Sequence, residues 1–139
     1  MIWKKEFTLD GLNNTQGNMV RHLGIRFSAF GDNYIEANMP VDERTIQPFG
    51  VLHGGASVVL AETLGSMGGY LCLEDLKQTT VGQEINANHL RSIRSGIVTG
   101  RAVPIHLGRK SQVWSIEIKD ENDKLVAISR LTLAIISVK

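Results

Sequence analysis

The sequence predicts an α+β protein in which an antiparallel sheet of about six strands wraps around one long central helix. Two observations predict this fold class. One long apolar segment, Gly54 to Leu73, has the length and composition of a buried helix. The segments on either side are shorter runs that alternate apolar and polar residues, as strands with one buried face do. Because helices do not separate these strands, the pattern does not fit βαβ units, and the 139 residues are expected to form one domain, residues 1–139.

The elements before the long helix are predicted from local signals. The stretch "FTLDGLNNTQGNMVRHLG" opens with Thr8 and Asp10, which are typical helix-capping residues, and is predicted to form a short, irregular helix. The stretch "IRFSAFGDNYIEANMPV" alternates on both sides of Gly-Asp-Asn at 31–33, which indicates a β-hairpin. A loop containing Pro48 and Gly50 then leads to the long helix.

Four strand-like runs are predicted after the long helix, and turn-forming residues separate them. The runs are Val81–Arg91, Gly96–Pro104, Ser111–Asp120 and Lys124–Val138. The turns fall at residues 94–96, 106–108 and 120–123. The last run carries β-branched residues on both faces, which predicts a central strand of the sheet.

Composition favours a soluble cytoplasmic protein. The formal net charge of +1 gives no basic bias, so no nucleic-acid partner is expected. The single cysteine, Cys72, cannot form an intrachain disulfide, which fits a reducing compartment. The opening "MIWKK" is not followed by the apolar core of a signal peptide. The segment from Gly54 to Leu73 could span a bilayer by length, but its glycines, its one carboxylate and its lack of basic flanks indicate a buried helix.

Glu62 is the one carboxylate in this apolar helix. Apolar residues surround it on nearly all sides of the helix, so its carboxylate is expected to be paired, open to a cleft, or neutral, each of which is typical of a catalytic group. The alternative is a partly exposed glutamate on the one open edge of the helix. Ser66 lies one turn further on the same face, but no histidine or lysine is spaced to activate it as a nucleophile.

The sequence His53-Gly54-Gly55 stands where the long helix should begin. Free backbone N–H groups and the positive end of the helix dipole suit a developing negative charge, and glycine lets a ligand approach the backbone. This start is therefore a candidate oxyanion hole. An ordinary glycine-rich turn is the alternative, and the nearby glutamate favours the functional interpretation.

Two basic clusters are candidate phosphate sites, and a metal site is not expected. The clusters are Gly108-Arg109-Lys110 and the group His89, Arg91 and Arg94. Such groups hold phosphates through charge-assisted hydrogen bonds, although a solvated rim is the alternative. The four histidines and the lone cysteine lack the spacing of a metal site.

The stretches "MPVDERTIQPFGVLHGGASVVLAETLGS", "VGQEINANHLR" and "HLGRKSQVW" resemble the hotdog-fold acyl-CoA thioesterases, and the similarity covers essentially the whole chain. Among these enzymes the sequence is most similar to those acting on aryl-CoA substrates, such as 1,4-dihydroxy-2-naphthoyl-CoA of menaquinone synthesis and 4-hydroxybenzoyl-CoA. The resemblance implies that Glu62 is the catalytic carboxylate, as nucleophile or as general base on water. It implies that the Gly54 N–H polarises the thioester carbonyl, that His53 and Gln47 assist orientation, and that Ser66 helps to place the acyl group or water.

The resemblance also implies where coenzyme A lies and how subunits assemble. The implied coenzyme A contacts are Gly82, His89, Arg91, His106, Leu107, Gly108 and Arg109. Coenzyme A is part of the substrate, so no separate cofactor is implied. The family is built as homodimers with shared active sites, which implies a dimer here and a dimer of dimers as its assembly. Phe49, Met67 and Tyr70 are candidates for an aromatic-accepting pocket, with the core as the alternative.

Two other functions are compatible with this fold. Hotdog-fold dehydratases acting on hydroxyacyl thioesters place a histidine in a His-Phe-Pro-type loop before the helix. The comparable stretch here is "RTIQPFG", which holds Gln47, and the histidine stands at the helix start instead. A non-catalytic acyl-CoA sensor that regulates transcription would need an attached DNA-binding domain, for which this chain has no room.

Overall fold

A six-stranded antiparallel sheet with the order β1-β2-β4-β5-β6-β3 curls around one long helix in the computed structural model, which describes residues 1–138. The helices are α1 (Leu9–Asn14), α2 (Asn18–His22) and α3 (Gly54–Leu71), and the strands are β1 (Arg26–Phe30), β2 (Ile35–Pro40), β3 (Gln78–His89), β4 (Ile97–Leu107), β5 (Ser111–Lys119) and β6 (Leu125–Ser137). The predicted fold class is confirmed. None of the helices within residues 1–138 is long and apolar enough to cross a membrane.

The segment before the sheet contains two short helices where the sequence predicted one. Thr8 caps α1, since the Gly11 N–H donates to its Oγ1 at 3.0 Å. Helix α1 ends at Asn14, and α2 begins after Gly17. The hairpin of β1 and β2 forms as predicted, and the Gly31 N–H donates to the Tyr34 carbonyl at 3.0 Å to close its turn.

Strand β4 is longer than predicted. The sequence placed a turn at 106–108, yet β4 continues through Leu107, which pairs with Gln112. Pro104 has no N–H to donate, but an irregularity between Pro104 and His106 lets the pairing resume beyond it. The turn follows at Gly108, whose N–H donates to the Ser111 carbonyl at 2.9 Å.

Strand β6 is an interior strand, as predicted, because it pairs with β5 on one side and β3 on the other. Only one of its faces is buried in this chain. Leu131 and Leu133 face the core, whereas Ile128 and Arg130 on the other face are exposed. The β-branched character on both faces therefore marked an interior position in the sheet, not burial of both faces.

Helix α3 packs closely on the inner face of the sheet. Its Leu60 and Leu64 are fully buried. Glycines at the contact allow this approach: a methyl group on Gly65 would lie 2.5 Å from Leu131 Cδ2, and one on Gly68 would lie 2.9 Å from the Trp114 ring. These distances are too short for a real contact, so larger residues there would force the helix away from the sheet.

The prediction that α3 is buried on nearly all sides is wrong for this chain. Glu62 and Tyr70 are exposed, and Thr63, Ser66 and Met67 between them are only half-buried. The sheet covers one side of the helix and ends at β3, which is an edge strand. The side of α3 beyond that edge is therefore open.

Candidate active site

Strand β3 runs antiparallel beside α3 and contacts it at three places. Each contact involves at least one residue that the sequence predicted to belong to the site. The Thr80 hydroxyl donates to the Ser66 carbonyl at 3.2 Å. The Glu62 carboxylate lies against Gly82, and the His89 imidazole lies against Gly54. The site is thus a row of contacts between one helix and one edge strand.

The start of α3 presents one free backbone donor. His53 is its N-cap, and the Gly55 N–H donates to His53 Nδ1 at 2.7 Å. The N–H groups of Ala56 and Ser57 donate to the His53 carbonyl at 3.0 and 3.3 Å. Within residues 1–138 the Gly54 N–H donates to no acceptor, so it remains available at the positive end of the helix dipole. A free backbone N–H at a helix start is able to donate to an oxyanion.

A cleft of about 300 Å³ lies at the start of the helix, and it brings together Gln47, Gly54, His89 and Arg91. Gln47 is held by the turn that follows it, because the Phe49 N–H donates to its Oε1. A backbone N–H needs an oxygen acceptor, so the amide nitrogen of Gln47 is left with both of its N–H groups. The cleft therefore combines two neutral donors, the Gly54 N–H and the Gln47 amide, with the guanidinium of Arg91.

Gly54 must be small for a second reason. A methyl group there would lie 2.8 Å from His89 Nε2. The missing side chain lets the imidazole rest against the first residue of α3. His89, which the resemblance implied as a coenzyme A contact, thus stands beside the free Gly54 N–H.

Glu62 is exposed, which corrects the expectation that its carboxylate is enclosed by apolar residues. The structure agrees instead with the alternative of a glutamate at the open edge of the helix. Among residues 1–138, no donor bonds to its carboxylate and no cation pairs with it. Both carboxylate oxygens are consequently free to meet a substrate or a water molecule.

A second cleft, of about 290 Å³, opens on the exposed side of α3 between Thr63 and Tyr70. Helices α2 and α3 and strand β3 form its walls, and its lining includes Ser66, Met67 and Tyr70. Two of the three candidates for an aromatic-accepting pocket therefore share one cleft. Phe49 does not join them: it is 84% exposed in the loop before α3, so it is neither core nor part of this cleft.

The implied coenzyme A contacts are not gathered in one place in this chain. His89 and Arg91 lie near the start of α3. Leu107 and Gly108 line a different cleft together with Cys72, which directly follows the end of the helix. The 18 residues of α3 separate these ends by about 27 Å. Gly82 belongs to neither group, since it contacts the Glu62 carboxylate.

Among the described residues, Cys72 is not a reactive nucleophile and no cluster of side chains could bind a metal ion. Burial raises the pKa of the Cys72 thiol to about 11, partly offset by the charge of Lys4, so the thiol is protonated at neutral pH and is a poor nucleophile. Among residues 1–138, no group of three or more His, Cys, Asp and Glu side chains is placed to hold a metal ion.

A six-stranded antiparallel sheet curled around one long helix is the architecture of the hotdog-fold thioesterases. The chain belongs to the thioesterase superfamily, which matches residues 49–127. It is therefore a thioester hydrolase, and the resemblance stated from the sequence is confirmed.

Several relatives match nearly the whole chain. It is 60% identical over 137 residues to the 1,4-dihydroxy-2-naphthoyl-CoA hydrolase of Escherichia coli, covering 98% of this chain and all of that one. It is 56% identical to the proofreading thioesterase EntH of Cronobacter sakazakii, covering 98% of this chain and 99% of that one. The crystal structure of a thioesterase from Haemophilus influenzae has a TM-score of 0.96 at 61% identity, covering 99% of this chain and 96% of that one.

Proposed function

We propose that this chain is a cytoplasmic enzyme that hydrolyses acyl-CoA thioesters, with aryl-CoA compounds such as 1,4-dihydroxy-2-naphthoyl-CoA as substrates, to the free acid and coenzyme A. The observation that carries the proposal is that α3 presents two unoccupied groups, the Gly54 N–H and the Glu62 carboxylate, neither of which has a hydrogen-bond partner among residues 1–138. The identity to an enzyme named for 1,4-dihydroxy-2-naphthoyl-CoA supports the substrate class.

In the proposed reaction the Gly54 N–H and the Gln47 amide donate to the thioester carbonyl oxygen and stabilise the charge that develops on it. Glu62 then acts in one of two ways. It attacks the carbonyl carbon to give an anhydride that water hydrolyses, or it takes a proton from the water that attacks. In both routes the thiolate leaves as an already good leaving group, so no additional activating triad is required.

The proposed active site is shared between two subunits. Gly54 and Glu62 are eight residues apart, which is about 12 Å along the helix axis. A glutamate side chain leaning towards the helix start recovers only part of that distance. Since a carbonyl group must contact both the oxyanion donor and the attacking group, one helix does not supply both. Antiparallel α3 helices in a two-fold dimer would bring the start of one helix beside Glu62 of the other. Two such dimers are proposed to assemble into a tetramer.

The same arrangement accounts for the divided coenzyme A contacts. Arg91 and the segment 106–109 lie at opposite ends of α3 in one chain. In a dimer with antiparallel α3 helices, the 106–109 segment of the partner chain would lie near Arg91 of the first chain, at the start of its α3. We propose that the nucleotide part of coenzyme A is held there by basic residues of both chains.

The proposal is tested with a panel of acyl-CoA thioesters by measuring the release of free thiol. The 1,4-dihydroxy-2-naphthoyl and 4-hydroxybenzoyl thioesters are expected to give a kcat/KM at least about tenfold above that of short aliphatic thioesters, because the cleft on the exposed side of α3 is lined by Met67 and Tyr70. Equal rates on all acyl groups would contradict the aryl preference. An absence of thiol release from every coenzyme A thioester would contradict the substrate class.

Replacing Arg91 or Arg109 with alanine is expected to raise KM for a coenzyme A thioester more than it lowers kcat, because a phosphate contact binds the ground state and transition state alike. The increase should shrink with a phosphopantetheine thioester, which lacks the nucleotide. Arg26→Ala is the control, since Arg26 is exposed on β1 away from both clefts. An equal effect on both thioesters would show that the arginines have a structural role.

A further inference from the structure

We propose that Gly82 is a positioning residue for the Glu62 carboxylate: it provides the space that the carboxylate occupies. This inference rests on the proposed function, which gives Glu62 the chemical step. It assigns Gly82 a role other than the coenzyme A contact that the family resemblance implied.

The space beside Gly82 is filled by one group. A methyl group on Gly82 would lie 2.8 Å from Glu62 Oε1 and 3.5 Å from its Cδ. The next neighbour is Leu131 Cδ1 at 3.9 Å, which is an ordinary van der Waals contact. A side chain at this position would therefore displace the carboxylate and leave the core in place.

A bulge in β3 points Gly82 towards the helix. Gly82 pairs with Leu133 and Glu84 pairs with Thr132, so Gln83 is an additional residue opposite β6. Successive side chains of a regular strand alternate between faces, and the extra residue lets both Gly82 and Ile85 pair with buried leucines of β6. The φ angle of Gly82 is not in the left-handed region, so alanine can adopt the same backbone.

The consequence of filling this space differs for stability and for catalysis. The displaced group is the free end of a flexible, exposed side chain, so folding should change little. Catalysis depends on the distance between the carboxylate and the reacting carbon or water. A displacement of about 1 Å can reduce the rate about a hundredfold.

Gly82→Ala is expected to lower kcat by about 10- to 100-fold while KM for a coenzyme A thioester stays within about twofold. The same substitution in a Glu62→Gln background should change the residual rate less than about twofold, because Gly82 acts only through the carboxylate. Gly17→Ala is the matched control, since no heavy atom lies within 4 Å of a methyl group placed there, and it should match wild type.

Several outcomes separate the possibilities. An increase in KM that disappears with a phosphopantetheine thioester would make Gly82 a nucleotide contact and overturn the positioning role. Wild-type kcat in Gly82→Ala, with Glu62→Gln inactive, would overturn this inference alone. An active Glu62→Gln enzyme would instead overturn the proposed catalytic assignment, and the role of Gly82 with it.

Melting temperatures test the same contact even in inactive variants. Any decrease caused by Gly82→Ala should disappear in a Glu62→Ala background, where the carboxylate is absent. An equal decrease in both backgrounds would show that the new methyl group collides with something else, and would overturn the inference.

Discussion

Replacing Glu62 with glutamine is expected to lower kcat for thioester hydrolysis by at least about a thousandfold, with KM close to that of wild type. Glutamine has nearly the same shape, but it neither attacks the carbonyl carbon nor takes a proton from water. Because Glu62 is exposed and no described residue bonds to its carboxylate, the free energy of unfolding should change by less than about 0.5 kcal/mol. The measurement combines steady-state thiol release with a thermal melt.

Glu43→Gln is the matched control for this experiment, because Glu43 is also exposed and belongs to neither cleft. It removes one negative charge from the surface, as Glu62→Gln does, and its kcat should equal that of wild type. Activity of Glu62→Gln within tenfold of wild type would rule out a role for its carboxylate in the chemical step. A loss of activity shared by both variants would instead indicate a general effect of surface charge.

Coexpressing His53→Ala and Glu62→Ala subunits is expected to restore about a quarter of wild-type activity from two nearly inactive parents. With random pairing, half of the dimers are mixed, and one of the two sites in each mixed dimer has both groups intact. The physical reason is the separation of about 12 Å between Gly54 and Glu62 along α3, which prevents one helix from supplying both. Thiol release from the unfractionated pool tests this value, and mixed dimers purified through two different tags should show about half of wild-type activity.

His53→Ala needs its own check, because His53 also caps α3 through the Gly55 N–H. Loss of a helix cap typically costs about 0.5–2 kcal/mol, so the melting temperature of this parent should fall while the protein remains folded. Mixed dimers that form but recover no activity would show that His53 and Glu62 act within one chain. Tags that never copurify would contradict the dimer itself.

The sequence alone was sufficient for the fold class and most element positions, because those signals are local. The apolar run from Gly54 predicted α3 to within two residues of its end. Alternation around residues 31–33 predicted the hairpin, and β-branched residues predicted that β6 is interior. Periodicity and turn chemistry depend on neighbours along the chain, so they can be recognised without knowing the tertiary contacts.

The surroundings of each site residue were decided only by the tertiary structure. Glu62 looked enclosed by apolar residues, yet it is exposed because the sheet ends at β3 and leaves that side of α3 open. Gly82 gave no sign in the sequence that it faces the Glu62 carboxylate, since a bulge 20 residues along the chain sets that contact. The family resemblance likewise implied that Arg91 and the 106–109 segment both contact coenzyme A, whereas in one chain they lie at opposite ends of the helix. Exposure and contact depend on which distant segments cover a residue, and the pairing of strands far apart along the chain fixes that coverage.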